Sequence, residues 1–127
     1  MVLQLGEAGA VQVVVSRQVL GELEGALRRK APGAMTSLAL LLDRSRIEIA
    51  PEAGPEILAT CEGLVTHRGD ARILAAAVCS RVDFFVTLDR KHLLDSTRLG
   101  PAVPFVVGTP GDFLAWVRAR LLGLNVA

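Results

Sequence analysis

The sequence predicts a single α/β domain with a parallel sheet and helices on both of its faces. Two runs, 11–15 and 84–86, are nearly free of polar residues and rich in β-branched or aromatic ones, which is typical of strands buried on both faces. Segments with helical spacing of apolar residues alternate with such runs, and this alternation indicates an α/β sheet. The chain has 127 residues, 51% of them hydrophobic, which suffices for one core but not for two.

A strand and a long helix begin the chain's first half. After the strand at 11–15, Ser16 is expected to be a helix N-cap. The helix at 17–30 has apolar residues at helical spacing and ends in three basic residues, which suit the negative end of the helix dipole. Pro32 breaks this helix. The remaining predicted elements of this half are a helix at 34–42, a short strand at 47–50 and a helix at 55–65.

The second half begins with a helix of small residues. It opens at Gly69 and Asp70 and runs to residue 78, and its alanines allow it to lie close to a sheet. The strand at 84–86 follows, and then a short helix that starts at Asp89. Thr109 is expected to cap the final helix. The last predicted strand, which precedes that cap, is at 104–107.

Composition excludes some classes of protein. The 14 Lys and Arg residues nearly balance the 13 Asp and Glu residues, so charge alone does not indicate a nucleic-acid binder. Cys61 and Cys79 form no CxxC pair, which argues against a zinc site and favours free thiols in a reducing compartment. No apolar run approaches the roughly 20 residues of a membrane-spanning helix. A cytoplasmic location is expected.

Two glutamates of the first long helix point in different directions. Glu24 stands four residues before Arg28, in the favoured order for a helix ion pair, so a surface role explains it. Glu22 lies at the margin of the apolar face and has no basic residue three or four positions away. Its small neighbours leave room for an ion or a substrate. An ordinary boundary glutamate remains the alternative explanation.

Two aspartates lie at positions that fit either a functional site of an α/β sheet or the N-cap of a helix. Asp70 precedes a helical run, and Asp89 follows Thr87 just past a buried strand. An N-cap role would explain either aspartate alone. It does not explain both of them together with an unpaired Glu22. Asp83, at the other end of the strand, fits a turn residue better.

Three carboxylates brought together would repel one another unless a cation neutralised them or some were protonated. Oxygen ligands without a His or Cys cluster favour Mg²⁺ or Mn²⁺ over zinc. Such ions can activate water for attack on phosphorus. Just beyond the last aspartate, Arg90, Lys91 and His92 are candidates for holding phosphate, and a solvated charged turn is the alternative.

At three places the sequence resembles the PIN-domain family, especially its toxin-like bacterial and archaeal members. The matching pieces are VVVSRQVLGELEGAL, GDARILAAAVCSRVDFFVTLDRKHLL and PFVVGTPGDFL. Together they span most of the chain between residues 11 and 114. The second piece is the most specific, because an Asp that opens a small-residue helix and a strand that ends in VTLD are characteristic of the family.

The resemblance implies a PIN-like three-layer sandwich, and metal-dependent cleavage of single-stranded RNA by acidic residues at the carboxyl ends of its parallel sheet. The family's helix glutamate falls on Glu22, its helix-opening aspartate on Asp70 and its post-strand aspartate on Asp89. Thr87 matches a strand-end threonine that orients a ligand or water. The implied cofactor is Mg²⁺ or Mn²⁺ at the three carboxylates.

One part of the family pattern is missing. The family begins with a buried central strand that ends in an aspartate of the acidic cluster, but this sequence has no Asp before Asp43. Residues 1–127 are therefore expected to form one PIN-like domain that lacks this first strand. Either the strand belongs to a longer gene, or the protein has lost part of its site. The strands beside the gap would keep unpaired edges. They could pair with each other, or two chains could associate to cover the exposed apolar surface, and the prediction is a homodimer or higher oligomer.

Two functions from different classes fit this pattern. The first is an endoribonuclease that uses Mg²⁺ or Mn²⁺, with an antitoxin protein as partner if the chain is a toxin. The second is a catalytically degenerate PIN-like module that binds RNA or a protein. A nucleotide-binding domain is disfavoured because neither G-x-x-x-x-G-K-[ST] nor G-x-G-x-x-G occurs.

Overall fold

Helices make up most of the architecture, with four short strands between them. The computed structural model describes residues 2–96 and 98–123, with the side chain of Lys91 left out. The α-helices are α1 (Val2–Glu7), α2 (Arg17–Lys30), α3 (Met35–Arg44), α4 (Pro55–Glu62), α5 (Arg68–Cys79), α6 (Leu99–Ala102) and α7 (Pro110–Leu121). The strands are β1 (Val14–Ser16), β2 (Glu48–Ala50), β3 (Phe84–Val86) and β4 (Val106–Gly108). A 3₁₀ turn, Pro32–Ala34, precedes α3, and a π-helical turn, Arg90–Leu94, follows β3.

The strands form two parallel pairs rather than one sheet. In the first sheet β1 pairs with β2, and Val14 lies opposite Glu48. In the second sheet β3 pairs with β4, and Phe84 lies opposite Val106. The mixed α/β class and the parallel pairing agree with the prediction. The prediction of one central sheet does not match the described residues, because no ladder joins β1 to β3.

The helix boundaries follow local chemistry closely. The Ser16 hydroxyl accepts a hydrogen bond from the main-chain N–H of Val19 at 3.0 Å, which confirms the predicted cap of α2. Thr109 and Asp112 cap α7 reciprocally, each side chain accepting from the main-chain N–H of the other. Glu24 and Arg28 form the predicted ion pair at 3.6 Å.

Small residues let α5 lie at the centre of the core. Ala71, Leu74 and Ala75 are fully shielded from solvent, and α5 packs against α4, α2 and β1. Because alanine side chains are only methyl groups, the backbones of α5 and β1 come close together, as the sequence predicts. Residues from the second half of the chain complete this cluster: Leu93, Leu99 and Phe105.

Several predicted boundaries differ from the structure. The strand predicted at 11–15 starts at Val14, because its partner β2 has only three residues to pair with. Helix α5 begins at Arg68 with His67 at the N-cap position, so the cap explanation for Asp70 is wrong. Cys61 and Cys79 are both free thiols. Within the described ranges, no helix has the length and apolarity needed to span a membrane.

Candidate functional site

The turn after β3 positions Asp89. The N–H of Thr87 donates to the carbonyl of Gly108 at 2.9 Å, which extends the pairing of β3 with β4 by one residue. The Thr87 hydroxyl then accepts from the N–H of Asp89 at 3.0 Å. Thr87 is therefore an orienting group for Asp89, and it stands where the strand ends.

Asp89 is held by the turn that it caps. Its Oδ1 accepts from the N–H of His92 at 3.0 Å, and its Oδ2 lies 3.4 Å from His92 Nδ1. The main-chain hydrogen bond from His92 is the largest cause of a lowered pKa for Asp89, and the nearby imidazoles of His92 and His67 act in the same direction. The carboxylate is therefore ionised at neutral pH. The cap predicted for Asp89 is confirmed.

His92 joins this turn to the start of α5. Its Nε2 lies 2.9 Å from Nε2 of His67, and the two rings are perpendicular with centroids 4.2 Å apart. A bond between two imidazole nitrogens needs one donor and one acceptor, so the two Nε2 atoms share a single proton. The carboxylate of Asp89 accepts only, which favours a proton on His92 Nδ1 and leaves His92 Nε2 as the acceptor in the neutral ring.

Asp70 completes the group from the first turn of α5. Its side chain is half-buried and makes no cap hydrogen bond, so its oxygens are left for other partners. One ligand atom from each of Asp70, Asp89 and His92 lies within 4.8 Å of the other two. We call these three residues the Asp–Asp–His cluster. The amino end of α5 favours negative charge at this place.

The donor set of the cluster suits a divalent cation. Two ligands on opposite sides of a Mg²⁺ or Mn²⁺ ion are about 4.2 Å apart, so small side-chain movements would bring these atoms into coordination range. Carboxylate oxygens serve both ions, whereas an imidazole nitrogen shifts the preference from Mg²⁺ towards Mn²⁺ and later transition metals. Two carboxylates and one neutral imidazole would leave the bound ion with coordination positions for water and substrate.

The structure does not bring every predicted site residue together. Glu22 is exposed on α2, where its Oε1 accepts from Gln18 Nε2 one turn earlier at 2.8 Å. It is not among the residues that the described part of the chain gathers at the cluster. Arg90 faces Asp95 at 3.9 Å, which fits the alternative of a solvated charged turn. The Lys91 side chain, predicted to hold phosphate, lies outside the described residues.

Sequence reasoning missed the part played by the histidines. His92 was predicted to contact phosphate, whereas it lies in the cluster, and His67 was given no role. The three-residue spacing of Asp89 and His92 on one turn is a local signal that could have paired them. The contact of His67 with His92 joins residues 25 apart, and no local pattern predicts it.

Comparison of the chain with protein-family models, with curated proteins and with solved structures found no match.

Proposed function

We propose that this protein is a metal-dependent endoribonuclease that hydrolyses phosphodiester bonds in single-stranded RNA. The observation that carries the proposal is the Asp–Asp–His cluster. Asp70 and Asp89 come from separate elements of the chain, and the sequence predicts both as metal ligands. Two carboxylates held with an imidazole at a strand end form a reasonable ligand set for Mn²⁺ or Mg²⁺.

The residues of the cluster have distinct parts in the proposed reaction. A bound divalent ion supplies a more acidic water and stabilises negative charge on phosphate oxygens. Asp89 holds its carboxylate in one orientation, because the Thr87 hydroxyl fixes its main chain and the His92 N–H fixes its Oδ1. Asp70 adds the second negative charge. The neutral form of His92 has one unprotonated nitrogen, Nε2, and this nitrogen can coordinate the ion or accept a proton once its contact with His67 Nε2 opens.

The finer architecture is part of the same proposal. The order of helices and parallel strands supports a PIN-like three-layer sandwich formed by one domain, with β1–β2 and β3–β4 as two pieces of its sheet. On this view the partners are single-stranded RNA, an antitoxin protein if the chain is a toxin, and further copies of the chain. In this proposal Arg90, which is exposed and follows Asp89 directly, exchanges its 3.9 Å contact with Asp95 for an RNA phosphate.

Cleavage of a fluorophore–quencher single-stranded RNA in the presence of Mn²⁺ tests the activity. Asp89→Asn keeps an oxygen that can cap the turn but removes the negative charge. We expect this variant to lower the cleavage rate by more than about 100-fold, which is a larger effect than the loss of a residue that only orients a metal ligand. Asp95→Asn is the matched control, because it removes one negative charge from the other end of the same turn. Equal cleavage by wild type and Asp89→Asn would refute the proposed mechanism.

One observation favours the degenerate module as a second candidate. Glu22, the carboxylate expected to complete the site, is exposed and bonded to Gln18 rather than gathered with Asp70 and Asp89. A module of this kind would retard single-stranded RNA in a gel shift without cutting it. Cleavage that is lost in Asp89→Asn but retained in Asp95→Asn would exclude it.

A further inference from the structure

A pair of histidines joins the start of α5 to the turn after β3. His67 and His92 are the chain's two histidines, and their Nε2 atoms lie 2.9 Å apart although 25 positions separate them in the sequence. Among the described residues, His67 is not gathered with the two carboxylates of the Asp–Asp–His cluster. The contact between the imidazoles is therefore a feature of its own that shares only His92 with that cluster.

The main chain holds both histidines in place. The carbonyl of His67 accepts from the N–H of Ala71 at 3.1 Å, and Ala71 is fully buried. His92 precedes Leu93, whose side chain is part of the hydrophobic core and whose N–H donates to the carbonyl of Asp89 at 3.2 Å. Both imidazoles are thus attached to segments that are anchored in the core.

A simple hydrogen bond between the two rings does not account well for their orientation. The rings are perpendicular, and their centroids are 4.2 Å apart. A straight N–H···N bond of the observed length would place the centroids about 5 Å apart. The axes of the two rings are therefore bent with respect to each other. Two imidazoles that bind one ion are also bent, because both lone pairs point at the ion rather than at the other ring.

The distance between the two nitrogens suits a shared metal ion. An imidazole nitrogen lies about 2.0–2.1 Å from a bound Zn²⁺ ion. Two such nitrogens are about 2.9 Å apart when they form a right angle at the ion, and about 3.3 Å apart at the tetrahedral angle. The observed distance of 2.9 Å between the Nε2 atoms equals the first value. Binding would change this distance by less than about 0.5 Å.

Asp89 stands where a metal-binding histidine has its supporting carboxylate. A histidine that binds a metal through one ring nitrogen usually donates the other N–H to a carboxylate or a carbonyl, which fixes the tautomer. Oδ2 of Asp89 lies 3.4 Å from His92 Nδ1, and this contact favours a lone pair on His92 Nε2, towards His67. The negative charge of Asp89 also offsets the positive amino end of α5, which by itself disfavours a cation.

We propose that His67 and His92 bind one divalent transition-metal ion of the class that prefers imidazole ligands, through their two Nε2 atoms. This class includes Zn²⁺, Ni²⁺ and Cu²⁺, whereas Mg²⁺ prefers oxygen ligands. The ion takes the place of the proton between the two nitrogens, and His67 stays neutral by carrying its proton on Nδ1. His67 is exposed and the side chain of His92 is 29% exposed, so water completes the coordination of the ion.

This ion differs from the one that the Asp–Asp–His cluster is proposed to hold. Asp70 has no part in the histidine site, and Asp89 supports His92 without touching the ion. One lone pair on His92 Nε2 serves one ion at a time, so an ion at the histidine pair withdraws this nitrogen from the cluster. That last consequence rests on the proposed function, whereas binding by the two histidines does not.

The first test uses the unmodified chain and Zn²⁺ as the probe. Two histidines give two sets of imidazole signals in a ¹H–¹⁵N NMR spectrum, so each ring nitrogen can be followed separately. At neutral pH we expect Zn²⁺ to shift the Nε2 signals of both rings and to leave His92 Nδ1 protonated. Unchanged Nε2 signals up to about 1 mM Zn²⁺, or a change at His92 alone, would overturn the proposal.

Calorimetric titration of Zn²⁺ into variants identifies the ligands. His67→Gln removes a ligand and should weaken binding by about 100-fold or more, whereas Asp89→Asn removes only the supporting carboxylate and should weaken it about tenfold. Asp70→Asn is the matched control, because it removes a charge from the first turn of the same helix and should leave Zn²⁺ binding unchanged. Cys79→Ser should also leave it unchanged, although Cys79 is an exposed thiol.

The same variants separate this proposal from the proposed function. Equal Zn²⁺ affinity in wild type and His67→Gln would overturn the histidine site. Zn²⁺ binding that is lost in Asp70→Asn would assign the ion to the Asp–Asp–His cluster and overturn it as well, while the proposed function would stand. Zn²⁺ binding by both histidines in a chain that does not bind Mn²⁺ would support the histidine site and contradict the proposed function.

Discussion

Replacing Gly108 with alanine tests the closest approach between β4 and its neighbours. A Cβ at this position would lie 2.9 Å from Asp112 Cβ and 2.9 Å from Phe84 Cζ, both closer than real Cβ atoms approach. Asp112 cannot move away without breaking its hydrogen bond to the N–H of Thr109 at 2.9 Å. Phe84 is confined by the ring of Phe113, whose centroid is 5.2 Å away.

Both neighbours resist displacement, so we expect Gly108→Ala to destabilise the protein by about 1–3 kcal/mol, the usual cost of overpacking. For a chain of this length that is a decrease in melting temperature of about 4–12 °C. Gly21→Ala is the matched control. Gly21 lies inside α2 with nothing within 4 Å of an added Cβ, so the same substitution should stabilise the helix by about 0.5–1 kcal/mol.

The assay is thermal unfolding followed by far-UV circular dichroism, with urea unfolding as a second measure of stability. The account requires opposite signs for the two alanine variants. A Gly108→Ala protein as stable as the wild type would refute the close packing of β4 against β3 and α7.

Three further predictions concern caps, thiols and pH. Thr109→Ala should cost about 1 kcal/mol in urea unfolding because it removes the cap of α7, and Thr109→Ser should restore most of that stability; equal loss in both would disprove the cap. Burial raises the pKa of the Cys61 thiol, so Ellman's reagent should label exposed Cys79 in the native chain and reach Cys61 only after unfolding. The hydrogen bond from the His92 N–H lowers the pKa of Asp89. The ionised carboxylate therefore contributes fully to the free energy of unfolding above the ordinary pKa of about 3.9, and this contribution is lost as pH falls through the lower pKa of the folded state. An NMR titration in which Asp89 protonates at or above its ordinary value would contradict this.

The features that sequence predicted well depend on local chemistry. Ser16 and Thr109 cap the helices that follow them, because an N-cap needs only a hydroxyl and the two or three residues after it. Asp89 was recognised as a residue just past a strand for a similar reason. The sequence grouped Asp70 with Asp89 as candidate ligands, and the structure places one ligand atom of each within 4.8 Å of the other.

Features that depend on contacts between distant residues were harder to predict. The position of Glu22 on its helix face could be inferred from its neighbours, but its distance from Asp89 depends on how α2 packs. His67 meets His92 only because α5 begins beside the turn after β3. The split of the sheet was also outside local reasoning, since strand pairing depends on which edges meet in three dimensions.

The central claim is that Asp70, Asp89 and His92 bind a divalent metal. Isothermal titration of Mn²⁺ at neutral pH into the wild type, Asp89→Asn and Asp95→Asn tests it most directly. The account predicts binding to the wild type and to Asp95→Asn, and loss of binding in a folded Asp89→Asn. A parallel titration of Glu22→Gln tests whether Glu22 is also a ligand, because a lower affinity of this variant for Mn²⁺ would place Glu22 in the ligand set. No binding by the folded wild type, or equal binding by Asp89→Asn, would contradict the claim.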